Sequence, residues 1–375
     1  MQRNQLRSEQ AIDTFNNFAS TTDAADAIDT FLSMQQKLPM HVAVRQFLIY
    51  HDGDLEITIL DKFAGRFHSL DLVNPAVSVF RLSTLNVDDE TPNTGFFAIL
   101  SSNRPNIYRL LSISFSQFWY RAIRKLVKGL YPEAMPVFFR QAEIQDALIS
   151  FEQQLGPKFR IRIADVTMKG TRGNRFYDTE RLWTDLSVSE SFESAMDRNL
   201  WFTSLRFIVQ QQTSQPNGYR NIASGRLYKK GEIFYDFYHF EIVSYLLKVL
   251  IEYSANRLQL LSRRGIRERN YQPGFPLEIF YEDEVFSDLA EIHRFGEAIQ
   301  KYPNATKAVF HGNPYYHASV ADFLDGSSFE VWIASPSRTI IVPQARSSVQ
   351  AFERLITHIL YEFKEGKVNE YTGSN

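Results

Sequence analysis

The chain has 375 residues, of which 44% are hydrophobic, and a formal net charge of −2, a composition typical of globular proteins and unlike that of disordered chains. It contains no cysteine, which excludes disulfide bonds, thiolate zinc sites and cysteine nucleophiles. The polar N-terminus and the charge-interrupted apolar run 240–261 do not match a signal peptide or a membrane span. We therefore expect a soluble, cytoplasmic protein without a membrane partner.

The N-terminal part of the chain predicts helices and strands in one domain. Apolar residues at helical spacing predict a helix within residues 1–36. In "HVAVRQFLIYHDGDLEITILDKF" (residues 41–63), two strand-like runs flank Asp-Gly, a common hairpin turn, so we expect two paired strands. Prolines then end a long apolar stretch, and we place a boundary there between an N-terminal α+β domain, 1–135, and a larger α+β domain, 136–375.

The larger domain begins with a helix and a basic strand. "FRQAEIQDALISFEQQLG" repeats apolar residues at helical spacing, and a glycine-proline pair ends the pattern. "KFRIRIADVTM" (158–168) alternates strictly, which predicts a strand with Arg160 and Arg162 on its polar face. Further strands, a hairpin around "KKG" and the apolar helix 240–261 are expected to follow.

The last hundred residues predict a compact unit, 303–370, in which short strands precede a helix that begins at Ser347 and ends at Gly366. We expect its core to hold eight apolar side chains: Phe310, Val331, Ile333, Ile340, Ile341, Phe352, Leu355 and Leu360. Because the strands come in hairpin-like runs, we predict an α+β fold with mixed or mainly antiparallel sheets packed with helices, in two domains.

Charge is distributed unevenly along the chain. Residues 121–270 hold 24 Lys and Arg against 16 Asp and Glu, whereas residues 1–120 hold 9 against 13 and residues 271–375 hold 8 against 14. A basic middle between acidic flanks can create a local positive field on a nearly neutral molecule. The flanks could also neutralise that middle internally, so both outcomes stay open.

"MKGTRGNRFYDTERLW" (168–183) is the most suggestive basic stretch. Lys169, Arg172 and Arg175 stand beside two glycines, which would let the backbone approach an anion closely. We expect an exposed phosphate-binding loop, although the stretch matches neither a Walker A nor a dinucleotide-binding motif. The alternative is a solvated loop whose arginines pair with its own acidic residues.

Two further basic runs occur in the same region. Residues 199–231 contain no carboxylate, and "QQQTSQPNGYRNIASG" within them predicts an exposed polar loop. Arginines at the end of the apolar helix could instead serve the helix dipole. The predicted nucleic-acid-binding residues of the basic region 158–269 are Arg160, Arg162, Lys169, Arg172, Arg175, Arg220, Arg226, Lys229, Lys230, Arg263, Arg264 and Arg267.

The sequence signals for a metal-binding site are weak. The carboxylates of "DGDLEI" and "DGSSFEVW" lack the lysine that magnesium-dependent phosphodiester cleavage would use, and we interpret them as turns. His311 and His317 are six residues apart, which is not a common zinc spacing, so we interpret them as structural. We predict neither a metal nor another cofactor.

These observations favour a non-catalytic protein that binds a polyanion, in the first place nucleic acid, through the basic region. One alternative is a metal-dependent phosphodiesterase or nuclease whose carboxylates come from separated segments. Another is an interaction subunit that docks on a partner protein within a larger complex, in a setting such as bacterial genome maintenance or antiviral defence.

Overall fold

A computed structural model describes residues 43–74, 78–86, 89–113, 116–172, 175–196, 200–215, 218–236, 240–262, 276–311, 315–344 and 346–371. The predicted N-terminal helix lies outside these residues. The chain divides into two compact units, residues 1–255 and residues 256–375. No helix in the described part of the chain has the length and apolar character needed to span a membrane.

Strands make up most of the first unit: β1 (Ala43–His51), β2 (Ser69–Asn74), β3 (Val79–Asn86), β4 (Asp89–Ser101), β5 (Ile107–Ile113), β6 (Ala134–Pro136), β7 (Phe159–Arg172), β8 (Arg175–Ser187), β9 (Leu200–Gln212), β10 (Tyr219–Tyr228) and β11 (Glu232–Asp236). Its helices are α1 (Leu55–Phe63), α2 (Ser116–Phe118), the π-helical Trp119–Ile123, α3 (Arg124–Gly129), α4 (Gln141–Leu155), α5 (Val188–Met196) and α6 (Phe240–Ser262), the last of which continues into the second unit.

The eleven strands form one sheet in the order β2-β3-β4-β5-β1-β11-β10-β9-β7-β8, with β6 paired to β1. Every described pairing is antiparallel. The predicted α+β fold with antiparallel sheets is therefore confirmed. The predicted boundary at residue 135 falls inside this sheet, because β1 lies between β5 and β11 and joins the early and middle parts of the chain.

A helix stands where the second strand of the "DGD" hairpin was predicted. The Asp54 carboxylate accepts hydrogen bonds from the backbone N–H groups of Glu56 and Ile57, at 2.9 and 3.2 Å, and so caps α1. Apolar residues one turn apart, Leu55, Ile59 and Phe63, are then buried in the core. The hairpin prediction was wrong because aspartate at this position satisfies the first helical N–H groups instead of a turn.

The predicted basic loop 168–183 is also wrong, because most of it is strand. β7 and β8 pair along a long hairpin, with Thr167 opposite Arg181 and Thr171 opposite Phe176. Threonine and aromatic residues favour a pleated surface, and their preference outweighs that of the glycines. The polar loop predicted around "QQQTSQPNGYRNIASG" is shorter than expected, because Tyr219 already pairs with Gln212.

The second unit contains β12 (Leu277–Phe280), β13 (Ala305–His311), β14 (His317–Asp322), β15 (Ser328–Ser335), β16 (Arg338–Pro343) and β17 (Lys367–Glu370), with a 3-10 turn (Val285–Ser287), α7 (Leu289–Gln300) and α8 (Val349–Glu362). Its sheet has the order β13-β14-β15-β16-β12-β17. Seven of the eight predicted core side chains are buried, but Phe310 is 56% exposed because β13 is an edge strand. Ser348, one residue later than predicted, caps α8 through a bond from Ala351 N–H.

Candidate anion-binding site

One row of side chains crosses six neighbouring strands on a single face of the first unit's sheet. Directly opposed residues of antiparallel strands point to the same face. From β8 through β7, β9, β10 and β11 to β1, the row consists of Trp183, Asp165, Arg206, Arg226, Phe234 and Arg45. We call this side of the sheet the arginine face.

A β-bulge places Asp165 in this row. Arg162 pairs with Ile208 and Ile163 with Phe207, but the next pair is Asp165 with Arg206, so Ala164 is the extra residue. A bulge inserts one residue into one strand and shifts the faces that follow it. Without it, strict alternation would place Asp165 on the core side of the sheet.

The centre of the row is a cavity of about 240 Å³, which we call the arginine cavity. Its lining residues are Arg45, Arg206, Ser224, Gly225, Arg226, Phe234 and Tyr235. Three of these residues are arginines, and no acidic residue is among the described ones that line the cavity. Since the arginines come from β1, β9 and β10, the cavity exists only when these strands have paired through β11.

Asp165 holds part of this cluster in place. Its fully buried carboxylate accepts hydrogen bonds from the guanidinium groups of Arg226 and Arg181, the latter over 3.3 Å. Arg226 also donates to the Ser204 hydroxyl over 3.2 Å. Hydrogen bonds to a charged, buried acceptor are the strong ones, so Arg226 is fixed before any ligand arrives.

Arg206 lies between Asp165 and Arg226 in the row but makes no hydrogen bond to a carboxylate among the described residues. Its side chain is partly buried, and it has no hydrogen-bond or ion-pair partner among the described residues. A guanidinium carries five N–H donors in a planar fork that matches phosphate and carboxylate oxygens. Arg206 is therefore the side chain of the cavity that is best suited to bind an anion.

Among the described strand residues of the arginine face, Trp183 and Tyr219 are exposed aromatic side chains, each beside an arginine. Trp183 is 70% exposed, with the Arg181 guanidinium carbon 4.5 Å from its ring centroid. Tyr219 is 37% exposed, with the corresponding carbon of Arg160 3.5 Å from its ring centroid. Tyr219 belongs to this face because it opposes Gln212, an even number of residues from Arg206 on β9.

A neutralised ion pair lies beside the cavity. Arg124 donates to the buried carboxylate of Glu232, which also accepts a hydrogen bond from the indole N–H of Trp119. Burial alone would lower the pKa of Arg124, but the hydrogen bond and the charge of Glu232 outweigh burial and raise it. The Arg124 guanidinium is thus used in an ion pair within the fold, whereas that of Arg206 has no ion-pair partner among the described residues.

Three of the predicted binding residues lie together on the arginine face. Arg226 lines the cavity, Arg160 stacks on Tyr219, and Arg162 pairs with Asp185 across 3.3 Å. The alternation predicted for the strand 158–168 is confirmed from Arg160 to Ile163, since Ile161 and Ile163 are buried on the opposite face, but the bulge at Ala164 ends it.

Four of the other predicted residues are not brought to this face as exposed cations. Lys169 is buried within β7, Lys229 is fully buried near the Phe138 ring, and Lys230 is exposed in the β10–β11 turn. Arg220 is exposed but, as the neighbour of Tyr219 on β10, points to the other face. Arg172 and Arg175 oppose each other at the end of the β7–β8 hairpin, and Arg263, Arg264 and Arg267 lie outside the described residues.

Sequence reasoning missed Arg45 and left Arg181 and Arg206 out of the predicted set. Arg206 sits in the carboxylate-free run 199–231, so a signal for it existed. Arg45 had none, because it joins the site only when β1 inserts between β5 and β11, a pairing between distant parts of the chain.

The acidic candidates serve local structure, although Asp54 caps a helix where a turn was predicted and Asp325 is ion-paired with Arg354. Asp52 accepts a hydrogen bond from Asn106, Asp54 caps α1, and Asp325 accepts one from Ser327 N–H. The His317 ring nitrogen lies 2.6 Å from the Glu330 carboxylate. Among the described residues, no group of three or more His, Asp or Glu is placed to hold a metal ion.

Comparisons with known proteins supply no family for this chain. No protein-family model matches it, and no curated protein sequence matches it. The chemistry of the arginine face therefore carries the functional assignment.

Proposed function

We propose that the first unit binds nucleic acid through its phosphate groups, on the arginine face. The observation that carries this proposal is the arginine cavity, where three strands bring three guanidinium groups together and the described lining residues include no acidic one. Arginine forks suit phosphate oxygens better than any other side chain does. The cavity thus supports an anionic ligand.

The dimensions favour one group of a longer ligand over an enclosed small molecule. About 240 Å³ is below the roughly 300–1,000 Å³ of typical small-molecule sites. Arg160 extends the positive charge along the same face beyond the cavity. Arg162 and Arg181, which are ion-paired with Asp185 and Asp165, add further guanidinium donors there. A chain of phosphates can contact several of these groups in turn, whereas a single small anion reaches only one cluster.

Fixed and available donors have different roles in this proposal. Arg226 is oriented by Asp165 and Ser204, so it presents its remaining donors without losing rotamer freedom on binding. Arg206 supplies the guanidinium with no described partner. Phosphate contacts of this kind position the ligand and carry no sequence information, so we expect binding that tolerates many sequences.

The test is a salt series on the full chain. Fluorescence anisotropy with labelled DNA, from about 50 to about 200 mM salt, should give a linear fall of log affinity with log salt. Arg206→Gln should make the slope shallower by up to about 0.9 on duplex DNA and 0.7 on single strands, and Arg45→Gln with Arg206→Gln by up to about twice that. Arg220→Gln, an exposed arginine on the other face, is the matched control.

Three results would overturn the proposal. The first is no salt-dependent binding by the unmodified chain, and the second is an unchanged slope in Arg206→Gln once circular dichroism has shown the same fold. The third is equally tight binding of poly-L-glutamate, since that would make an acidic protein surface the ligand.

A further inference from the structure

Trp183 extends the row beyond the arginine cavity. Trp183 opposes Asp165 and Asp165 opposes Arg206, so two strand spacings of about 4.8 Å, or roughly 10 Å, separate Trp183 from Arg206 along the sheet. The indole shares the face of the cavity and keeps 70% of its surface in solvent. A large aromatic side chain held beside an anion site offers a surface that phosphate contacts alone do not use.

The structure orients this indole. Arg181 lies over the Trp183 ring at 4.5 Å, and the same guanidinium donates to the buried Asp165. An arginine above an aromatic face is attracted by the ring quadrupole, so Asp165 indirectly limits the motion of Trp183. One side of the ring is covered by a cation, and the remaining exposed surface is available for stacking.

Tyr219 repeats the arrangement along the other direction of the sheet. Arg160 lies 3.5 Å from its ring centroid and is itself held by a 2.8 Å bond to the Gln210 amide oxygen. Six residues along β9 separate Gln212, the partner of Tyr219, from Arg206, or roughly 20 Å at 3.3–3.4 Å per residue. The face therefore carries two aromatic platforms with the arginine cavity at the corner between them.

We propose that the arginine face binds single-stranded nucleic acid, with phosphates at the arginine cavity and bases stacked on Trp183 and Tyr219; this inference rests on the proposed function. Stacking of bases on aromatic rings together with a positively charged groove is the general chemistry of single-strand binding. In a duplex the bases are stacked on one another and paired, so their faces are not accessible to Trp183 or Tyr219. The two aromatic residues therefore add affinity for single strands only.

The experiment compares oligodeoxythymidylate with a DNA duplex of the same length. Trp183→Leu and Tyr219→Leu should each weaken single-strand binding by about 5- to 150-fold. Neither should change duplex binding or the salt slope, because no charge is removed. Trp332→Leu, at a 41% exposed indole of the second unit, is the matched control and should bind both ligands as the unmodified chain does.

Tryptophan fluorescence gives a second readout that does not depend on a variant's stability. Trp119 and Trp201 are buried and the exposed Trp332 belongs to the second unit, so we expect quenching by oligodeoxythymidylate to come from Trp183. The quenching should be absent in Trp183→Leu and present in Trp332→Leu.

The outcomes separate this inference from the proposed function. Salt-dependent DNA binding with equal affinity for single strands and duplex, and no quenching, would overturn the single-strand inference and leave the proposed function standing. An equal loss on both ligands in Trp183→Leu would also overturn it. Absence of binding to either ligand would overturn the proposed function, and the inference with it.

Discussion

Among the described residues, each unit of the molecule buries one aspartate that binds arginine, and the two clusters differ in their balance of charge. Asp165 in the first unit and Asp322 in the second are both almost completely buried. Asp165 accepts from two arginines, Arg226 and Arg181. Asp322 accepts from one, Arg354, at 2.9 and 3.2 Å.

The second cluster is closed by its own residues. Arg354 also reaches Asp325 across 3.4 Å, so one cation serves two carboxylates, and the Tyr302 hydroxyl donates to Asp322 over 2.6 Å. Burial and that hydrogen bond raise the pKa of Tyr302, which keeps the hydroxyl a donor. The arginine itself is 8% exposed, and no surplus of positive charge is left for a ligand.

The first cluster has the opposite balance. One carboxylate serves two arginines, and a third, Arg206, lines the adjoining cavity without a partner among the described residues. A buried ion pair therefore does not by itself indicate a binding site. What distinguishes the arginine face is that its described cations outnumber the described carboxylates that hold them, Asp165 and Asp185, and that Arg206 remains available.

The largest effect should come from breaking the closed cluster. Arg354→Met would leave Asp322 buried without its cation, and removal of one partner of a buried pair costs about 3–5 kcal/mol. Urea unfolding followed by circular dichroism measures the loss. Arg81→Met, which breaks an exposed pair with Asp71, is the control and should cost no more than about 1 kcal/mol. Equal losses in the two variants would contradict the assignment of Arg354 as the residue that closes this cluster.

Breaking the cluster around Asp165 should lower the free energy of unfolding by less than breaking the cluster around Asp322. Arg226→Met removes one of two guanidinium groups from Asp165, while Arg181 remains. We expect a loss of about 1.5–3 kcal/mol, the usual contribution of hydrogen bonds to a charged group, in the same urea assay. A loss as large as that of Arg354→Met would show that the hydrogen bond from Arg181 does not stabilise the buried Asp165 carboxylate.

Acid should weaken the closed cluster through Asp325. Burial alone would raise the pKa of this carboxyl, but hydrogen bonds from Ser348 and Ser327 and the charge of Arg354 outweigh burial and lower it. A carboxyl whose pKa is lowered on folding stabilises the protein above its unfolded pKa and loses that contribution as pH falls through the folded value. The stability difference between the unmodified chain and Asp325→Asn should therefore shrink as the pH falls from about 5 to about 2. A difference that stays constant in urea titrations over this range would contradict the assignment.

The elements that sequence could predict are those with local signals. The helix α4, the strand β7 with its alternating arginines, and the capped helix α8 all follow from periodicity and end residues. The helix α1 was missed because Asp-Gly is both a hairpin turn and, when aspartate follows the glycine, the start of a capped helix. The hydrogen bonds of Asp54 decide between them.

The arginine face could be predicted only in part, because it depends on register. Arg160 and Arg162 follow from alternation within one strand. Asp165 does not, because the bulge at Ala164 moves it to the arginine face, whereas strict alternation predicts the opposite face. Arg45 and Arg226 meet through β11, and pairings between distant segments leave no trace in the local pattern.

The smallest effect on stability should come from the residue to which we give the largest role in binding. Arg206→Met removes a guanidinium with no described partner from a site shared with Arg45 and Arg226. Repulsion among like charges falls, and the methionine stem keeps the packing of the partly buried side chain. We expect the free energy of unfolding to change by no more than about 0.5 kcal/mol, or to rise slightly. Any rise should diminish at about 1 M salt, where screening extends over only about 3 Å. A loss above about 1 kcal/mol would show that Arg206 stabilises the fold, and the arginine cavity would then be as closed to a ligand as the cluster around Arg354.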